Sequence, residues 1–239
     1  LDMMMELAID RVDVNSGMYG LSILNDVCAD GFFYAGGFRL VENNNGVLKV
    51  SDGLSNNSLV NWFDTVQDLF TARYADIAID GAAPFKEENA IFYCGNVSDS
   101  QNFTKEGVHF TILPMPMLNE SQTRYYTCAS FWVTMYSVPN DVRSKEMSGM
   151  ILEALASEAY RTVTGEIYYN LFQSRYNGTG GEAAAEMFDI LSDSVVFDSA
   201  RMFADGLGMF AHFRNAINDP AGNWSTVYSS NIDAWTGKV

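Results

Sequence analysis

The sequence of 239 residues contains few basic residues and few histidines, and both scarcities narrow the possible functions. Only 14 lysines and arginines stand against 30 acidic residues, which gives a net charge of −16. An acidic surface repels a phosphate backbone, so nucleic acid is not an expected partner. The two histidines, His109 and His212, are too few to complete a zinc site with the cysteines, and both are predicted to be packing residues.

Cysteines and long apolar runs are also scarce. Cys28, Cys94 and Cys128 are widely spaced, and none lies in a C-x-x-C pair. An odd number at such spacings predicts buried, unpaired thiols rather than a disulfide framework. No run approaches the roughly 18 apolar residues that a membrane helix needs. Because Leu1 opens directly into a helical pattern, we expect the chain to begin inside a longer protein.

The usual catalytic and cofactor motifs are missing as well. The sequence has no G-x-S-x-G elbow, no Walker A loop and no H-E-x-x-H. The spacing Gly206-x-Gly208-x-x-Ala211 imitates a dinucleotide-binding loop, but it follows a helical pattern rather than a strand. We therefore predict no cofactor, no metal and no catalytic residue. A carbohydrate-active enzyme stays open as an alternative, because an acid pair such as Asp26 and Asp30 is all that a glycosidase needs.

What is present is a core-forming composition, with 48% hydrophobic and 13% aromatic residues. Strand patterns alternate with helix patterns in the first half and helix patterns dominate the second half, which predicts an α/β fold. A hairpin turn is predicted at NNNG 43–46, after the aromatic and β-branched run 32–41 and before a returning strand at 47–50. Helices are predicted over about 1–10, 57–74, 144–161, 165–176, 182–193 and 200–217, and strands over 90–94, 108–116 and 130–139.

Ser55 or Asn57 is predicted to cap the helix over 57–74, and Asp141 or Ser144 the clearest helix, over 144–161. The apolar stripe of that helix consists of Met147, Met150, Ile151, Ala154 and Leu155 and turns polar at Glu158, and the tail after Ile217 is predicted to be irregular.

Aromatic residues lie beside asparagine and aspartate near the predicted strand ends. Examples are Phe33, Phe131, Trp132 and Phe197. Sugar rings stack on aromatic faces while their hydroxyls bind carboxylates and amides, so this combination favours carbohydrate binding without establishing it. Six N-x-S/T sequons are also present, although a chain so rich in Asn, Ser and Thr would contain some by chance.

Taken in order, five segments resemble extracellular solute-binding proteins of family 1, the maltose-binding-like receptors of bacterial ABC importers. They are YGLSILNDVCADGFFYAGGFRLVENNNGVLKVSD, FKEENAIFYCGN, HFTILPMPMLNESQTRYYT, SVPNDVRSKEMSGMILEALASEAY and SDSVVFD. The segment HFTILPMPMLNE is similar to the family's L-P-x-P strand, although Val108-His109-Phe110 stands where the family has a Phe-Gly opening. The family's first βαβ lobe, signal peptide and lipid-attachment cysteine have no counterpart in this sequence.

The resemblance implies a type II periplasmic-binding-protein-like fold, with the second lobe and the carboxy-terminal helices present and the first lobe missing. Residues 1–125 would form the second α/β lobe. Residues 126–178 would form the hinge crossing and helices that pack toward the missing lobe. Residues 179–239 would return to the second lobe.

The resemblance also implies a non-enzymatic function. The protein would be the extracytoplasmic substrate-binding subunit of an ABC transporter, in the periplasm or at the cell surface through a lipid anchor outside this sequence. It would bind a sugar or oligosaccharide in an interlobe cleft and deliver it to the permease. A peptide or polyamine receptor is the alternative within the same class.

Placed against the family pattern, three polar residues that precede a double glycine or follow a predicted strand become candidate ligand contacts. Asn25 and Asp26 lie where a cleft loop carries such contacts, and Asn96 follows the strand AIFYC. Gly36 and Gly37 would allow close approach of a ligand to the backbone, or would simply form a turn.

Three further candidates come from the second half of the sequence. Trp132 follows the predicted hinge crossing near 125–130. Phe197 and Asp198 lie in the late loop that would return to the cleft. The resemblance implies that these residues supply aromatic stacking and hydroxyl binding.

Overall fold

A computed structural model of the protein describes residues 1–9, 12, 17–71, 75–77, 81–130, 136–167, 181–203 and 208–239. The chain divides into two compact units. We call them the sheet unit (Leu1–Val108, Pro114–Phe131 and Leu191–Val239) and the helical unit (His109–Leu113 and Trp132–Ile190). The predicted boundaries after residues 125 and 178 stay predictions.

The strands of the described residues form three small sheets. Their bounds are β1 Tyr19–Ile23, β2 Val41–Asn44, β3 Val47–Val50, β4 Ala75–Ile77, β5 Ala90–Cys94, β6 Thr127–Cys128 and β7 Val195–Val196. The principal sheet is parallel, in the order β4-β1-β5. β2 and β3 form an antiparallel hairpin, and β6 pairs in parallel with β7.

Helices account for most of the remaining regular structure. Their bounds are α1 Asp2–Ile9, α2 Asp30–Ala35, α3 Asn57–Thr71, α4 Ala82–Lys86, α5 Asp99–Glu106, α6 Lys145–Ala159, α7 Gly181–Asp193, α8 Ser199–Met202, α9 Met209–Ile217 and α10 Trp224–Thr236. Short 3₁₀ turns cover Asp26–Ala29 and Asp52–Ser55, and a π-helical turn, Tyr160–Thr164, extends α6.

Helix α3 lies at the centre of the sheet unit's core. Its helical spacing is confirmed, because one face is buried and the opposite face carries Asp64 and Asp68. The buried face consists of Leu59, Trp62, Phe63, Val66, Leu69 and Phe70. The indole N–H of Trp62 donates to the carbonyl of Phe32 at 2.8 Å, so the buried polar atom of this side chain is satisfied. The cap is Asn56, whose side chain accepts from Ser58 N, rather than Ser55 or Asn57 as the sequence suggested.

The hairpin is confirmed, and its turn follows from local chemistry. Asn45 and Gly46 both have positive φ, at 54° and 88°, as a two-residue type I′ turn requires. The side chain of Asn43 accepts from Gly46 N at 2.8 Å and stabilises the turn. The aromatic run before the hairpin has a strand-like pattern, but it does not form a strand along its length. Residues 30–35 form helix α2, and strand β2 begins only at Val41.

Two other sequence predictions are wrong. Residues 108–116 contain no strand, and Pro114 and Pro116 remove two of the amide hydrogens that a ladder would use. The tail after Ile217 is not irregular, because Trp224–Thr236 forms α10. Trp224 and Trp235 lie three helical turns apart, and both are buried. Packing of these two indoles therefore sets the structure of a segment whose polar residues have little helix propensity.

The helical unit contains the helix that was clearest in the sequence. α6 begins at the predicted cap, where Ser144 Oγ accepts from Met147 N at 3.2 Å. No residue of α6 is buried. In the apolar stripe predicted from its spacing, Met147, Met150, Ile151 and Leu155 are each more than half exposed, and Ala154 is exposed as well. The predicted helix over 165–176 and the predicted strand over 130–139 lie largely outside the described residues.

Candidate functional site

The candidate site lies where β1 and β5 end. The two strands are parallel neighbours with Ile23 opposite Cys94, and Leu24 N donates to Cys94 O at 2.9 Å beyond that pair. The residues that follow both strands therefore emerge at one edge of the sheet. Ligands of open α/β sheets bind outside the carboxyl ends of the strands. We call Asn25, Asp26 and Asn96 the carboxyl edge.

Asn25 stabilises the turn that follows β1. Its backbone is extended, at φ −163° and ψ 173°, and its side-chain oxygen accepts from Val27 N at 3.1 Å. This is an N-cap, so the residue starts the helical stretch that runs through the 3₁₀ turn into α2. The Asn25 oxygen therefore has a structural partner, and the side-chain amide N–H groups are the part of this residue that would donate to a ligand.

Asn96 is held in place by a carboxylate from α5. Asp99 Oδ2 accepts from Asn96 N at 2.8 Å and from the phenol of Tyr93, also at 2.8 Å. Asn96 itself is exposed. A fixed backbone with an exposed amide side chain is suited to binding hydroxyl groups, because the amide both donates and accepts.

Asp26 is exposed but electrostatically anchored. Its side chain is 63% exposed, and its Oδ2 lies 3.6 Å from Arg214 Nη1 on α9. The same guanidinium approaches the buried Asp30, with Nε 3.4 Å from Oδ1. Arg214 therefore joins a surface carboxylate of the carboxyl edge to a buried one beneath it.

Asp30 is the centre of a buried ionic cluster. Its Oδ2 accepts from Arg201 Nη1 at 2.6 Å, and Arg201 Nε donates to the carbonyl of Ala129 at 2.7 Å. Burial raises the pKa of Asp30 to about 6, although Arg201 and Arg214 oppose that shift. Asp30 and Arg201 are 171 positions apart in sequence, so no local pattern could have predicted this pair.

A glycine near the carboxyl edge was also missed. A Cβ added to Gly81 would lie 1.7 Å from the carbonyl oxygen of Ile23, the last residue of β1. No side chain fits at that position. The sequence signal was a glycine directly after the alternating segment ADIAID, which is too common a pattern to identify a close backbone approach.

Gly36 and Gly37 lie at the far end of the helical stretch that begins at the carboxyl edge. The helical stretch 26–35 separates them from Asn25 by roughly 15 Å at the usual rise per residue. A Cβ on Gly36 would meet the ring of Phe38 at 2.6 Å, and one on Gly37, where φ is +81°, would meet Tyr126 at 3.0 Å. The close approaches found here are internal, and a ligand contact at these glycines stays a prediction.

The predicted residues of the late loop differ in exposure. Phe197 is 64% exposed, as a stacking residue would be. Asp198 is buried, and its oxygens accept from Ala200 N and Leu40 N, both at 2.8 Å. Asp198 therefore caps α8 and fixes the start of the hairpin, while its role in ligand binding stays a prediction. Trp132 lies outside the described residues.

Several aromatic residues that suggested sugar stacking belong to the core. Phe32, Phe33 and Tyr34 are at most 1% exposed. Phe33 packs edge-on against Phe213 with ring centroids 5.4 Å apart. These rings therefore stabilise the sheet unit and are not accessible to a ligand.

The cysteines are free and partly buried. Burial raises the pKa of the Cys28 thiol to about 11 and that of Cys128 to about 12, and it raises the pKa of Cys94 as well. Such thiols are poor nucleophiles at neutral pH.

Within the described part of the chain, no group of three or more His, Cys, Asp or Glu is placed to hold a metal ion. None of the helices described there is long and apolar enough to cross a membrane.

Two cavities formed by described residues are not lined by any residue of the carboxyl edge. One, of about 320 Å³, lies beside α9 and α10 and is lined by His212, Asn215 and Asp219 among others. The other, of about 210 Å³, is lined by residues including Asn61, Trp62 and Asn119. Both are shallow hollows of the sheet unit, and neither contains a predicted ligand residue.

Two solved structures share this fold. One is a cyclo/maltodextrin-binding protein complexed with maltotetraose, with 14% sequence identity and a TM-score of 0.63 over 99% of this chain and 63% of that chain. The other is the Thermus thermophilus maltotriose binding protein bound with maltotriose, with 12% identity and a TM-score of 0.57 over 98% of this chain and 64% of that chain. No protein-family model and no curated protein matches the sequence.

These comparisons establish the fold. The protein has an α/β fold that matches part of a maltodextrin-binding protein, and it spans just under two thirds of the length of both neighbours. Both neighbours are binding proteins rather than enzymes, and both were solved with an oligosaccharide. The expected fold-level relationship to sugar-binding proteins is therefore confirmed. At 12–14% identity the likeness extends to the fold and not to the ligand.

Proposed function

We propose that the protein is a solute-binding protein that binds a sugar or an oligosaccharide at the carboxyl edge of its parallel sheet. The observation that carries the proposal is the convergence of Asn25, Asp26 and Asn96 at one sheet edge, in a fold matched to two oligosaccharide-binding proteins. Carboxylates and amides are the groups that bind sugar hydroxyls.

The electrostatics of the carboxyl edge suit a neutral, hydroxyl-rich ligand. Asp26 is the exposed carboxylate there, and Arg214 already lies 3.6 Å from it. A cationic ligand would need several converging carboxylates, whereas a hydroxyl needs a single fixed acceptor. Binding requires no covalent chemistry, so the proposal includes no catalytic residue.

In the cell the protein would act as the substrate-binding subunit of an ABC importer. It would work outside the cytoplasm and deliver its ligand to a membrane permease. In a longer receptor a second lobe would contact the same ligand, and the ligand would favour the closed form because it touches both lobes. Trp132, Phe197 and Asp198 remain candidate contacts in that closed form.

The test is calorimetric titration of the protein with maltotriose, maltotetraose and a panel of other saccharides, with amino acids and polyamines as controls. Asp26→Ala should weaken binding of the saccharide that binds best by about 10- to 100-fold, as expected for loss of a hydrogen bond to a charged group. Asn96→Ala should weaken it less, because its hydrogen bonds are neutral.

The matched control is Asp64→Ala, which removes an exposed carboxylate from α3. It should leave affinity unchanged. Equal affinities for the wild type, Asp26→Ala and Asn96→Ala would show that the carboxyl edge is not the site. Binding of a polyamine or peptide alone would replace sugar with that solute class.

A further inference from the structure

A second cluster of the sheet unit brings two positive charges against one aromatic ring. The guanidinium carbon of Arg39 lies 5.1 Å from the centroid of the Tyr126 ring, and that of Arg124 also lies 5.1 Å from it. Arg39 additionally lies 5.7 Å from the ring of Tyr34. Arginine stacks on aromatic faces through cation–π attraction. We call Arg39, Arg124 and Tyr126 the arginine pair site.

The ring in this site is held by the backbone around it. Tyr126 packs against Gly37, where an added Cβ would be 3.0 Å from the ring. Gln122 ties the segment to α2, because its Nε2 donates to the carbonyls of Ala35 at 3.0 Å and of Arg124 at 2.8 Å. Its Oε1 accepts from Leu118 N at 2.9 Å. The ring and the backbone that presents Arg124 are therefore fixed before any ligand arrives.

Within the described part of the chain, neither guanidinium has a counter-charge within ion-pair distance. Among the described residues, every ion pair of 4.0 Å or less involves other cations, and neither Arg39 nor Arg124 takes part. The side-chain hydrogen bond of Arg39 goes to the carbonyl of Phe38 at 2.6 Å. Asp198 is close enough to sense the charge of Arg39, but both its oxygens accept from backbone amides.

Among the described cations, Lys105, Arg143 and Lys145 also appear in none of these ion pairs, so the absence of a carboxylate partner does not by itself distinguish the two arginines. What distinguishes Arg39 and Arg124 is that both guanidinium carbons lie 5.1 Å from the same ring centroid. Because each guanidinium carbon lies 5.1 Å from one centroid, the two charges are at most about 10 Å apart, and an anion bound by both would offset their mutual repulsion. Arginine's planar array of N–H donors matches a carboxylate or a phosphate group.

We propose that the arginine pair site binds an oxyanion, the carboxylate, phosphate or sulfate group of a small molecule. The anion accepts hydrogen bonds from the guanidinium groups of Arg39 and Arg124, while Tyr126 holds those groups in position. This site is separate from the carboxyl edge, because it lies at the opposite end of the helical stretch 26–35. It therefore goes beyond the proposed sugar binding and does not depend on it.

The test is an NMR titration that follows the arginine Nε–Hε signals of the protein at constant ionic strength. The probes are inorganic phosphate, sulfate and acetate, each replacing chloride. We expect saturable shifts at Arg39 and Arg124, and the ranking of the three probes distinguishes a tetrahedral from a planar anion. Arg124→Gln should raise the apparent dissociation constant at least tenfold.

Arg124 and Arg143 are both exposed, so Arg143→Gln is a matched control for the loss of one positive charge. It should leave the titration unchanged. Tyr126→Leu should weaken anion binding while both charges remain. Shifts that do not saturate, or that persist equally in Arg124→Gln and Tyr126→Leu, would overturn the proposal. Asp26→Ala should retain anion binding, which separates failure of this site from failure of the sugar site.

Discussion

Helices α3 and α6 have the same length, 15 residues, and both carry apolar residues at helical spacing, yet these residues have opposite environments. In the sheet unit, α3 buries six apolar side chains, and Leu59 is 0% exposed. In the helical unit, α6 buries none, and Leu155 is 58% exposed. Periodicity thus predicts that a helix forms and which face is apolar, but not what covers that face. We expect substitutions at buried positions of the sheet unit to lower the free energy of unfolding much more than matched substitutions in the helical unit do.

The largest effect should come from the buried ionic cluster of the sheet unit. Asp30→Ala leaves Arg201 and Arg214 without their shared carboxylate and should lower the free energy of unfolding by about 3–5 kcal/mol. Asp141→Ala removes an exposed carboxylate of the helical unit and should change it by less than about 0.5 kcal/mol. Urea unfolding followed by circular dichroism measures both. Equal effects would contradict the burial argument.

A single substitution made in both helices addresses the comparison directly. Leu59→Ala in α3 creates a core cavity and should cost about 2–5 kcal/mol. Leu155→Ala in α6 removes an exposed side chain and improves helix propensity, so we expect a change below about 0.5 kcal/mol. A large loss for Leu155→Ala would show that the α6 face is covered in solution, for instance by self-association.

The pKa of Asp30 makes the contribution of the cluster depend on pH. Because burial raises this pKa from 3.8 to about 6, the folded state binds the proton more tightly than the unfolded state does. The stability gained from protonation is present below pH 4 and lost as the pH rises through 6. In Asp30→Asn the side chain at position 30 cannot titrate, so this variant serves as the reference. The free energy of unfolding of the wild type, minus that of the variant, should fall by up to about 3 kcal/mol between pH 4 and pH 7. A constant difference would mean that the arginines keep Asp30 ionised throughout.

Two glycines provide a matched pair with effects of opposite sign. Gly81→Ala places a Cβ against the Ile23 carbonyl and should destabilise the sheet unit by about 1–3 kcal/mol or more. Gly149 lies inside α6 with nothing within 4 Å of the added Cβ. Gly149→Ala should therefore stabilise the helix by roughly 0.5–1 kcal/mol. Thermal unfolding of the two variants checks the signs, and a stabilised Gly81→Ala would contradict the close approach.

The smallest effect is expected at the helix caps. The loss of helix stability on removing a capping side chain should be about the same in the two units. Ser144 accepts from Met147 N, and Asn223 accepts from Thr226 N at the start of α10. Replacing either residue with alanine should cost about 1 kcal/mol of helix stability. Hydrogen exchange of the first-turn amides measures both, and a marked difference would show that capping depends on tertiary packing.

The sequence predicts what depends on neighbouring residues. The hairpin follows from Asn45 and Gly46, the start of α6 from Ser144, and α3 from its spacing. α10 could not be read from propensity, because its serines, threonines and asparagines favour other conformations. The spacing of Trp224 and Trp235 was a usable signal, since eleven residues return a side chain to the same helix face.

The candidate site also has features that the sequence suggested and features that it could not. The family resemblance selected Asn25, Asp26 and Asn96, but of the two strands that bring them to one edge only β5 was predicted, because β1 was not recognised from its sequence. The support beneath the edge could not be predicted, because Arg214 and Arg201 approach from helices near the end of the chain. The burial of Asp198 could not be predicted either. Nothing in the sequence next to Phe197 indicates that backbone amides donate to the Asp198 carboxylate.

The most direct test of the account is a backbone NMR titration of the protein with maltotetraose and with the best saccharide of the panel. We predict saturable chemical-shift changes centred on Asn25, Asp26 and Asn96, with little change along α3 and α6. Saturable changes elsewhere with none at the carboxyl edge, or no saturable change with any saccharide, would contradict the proposed site.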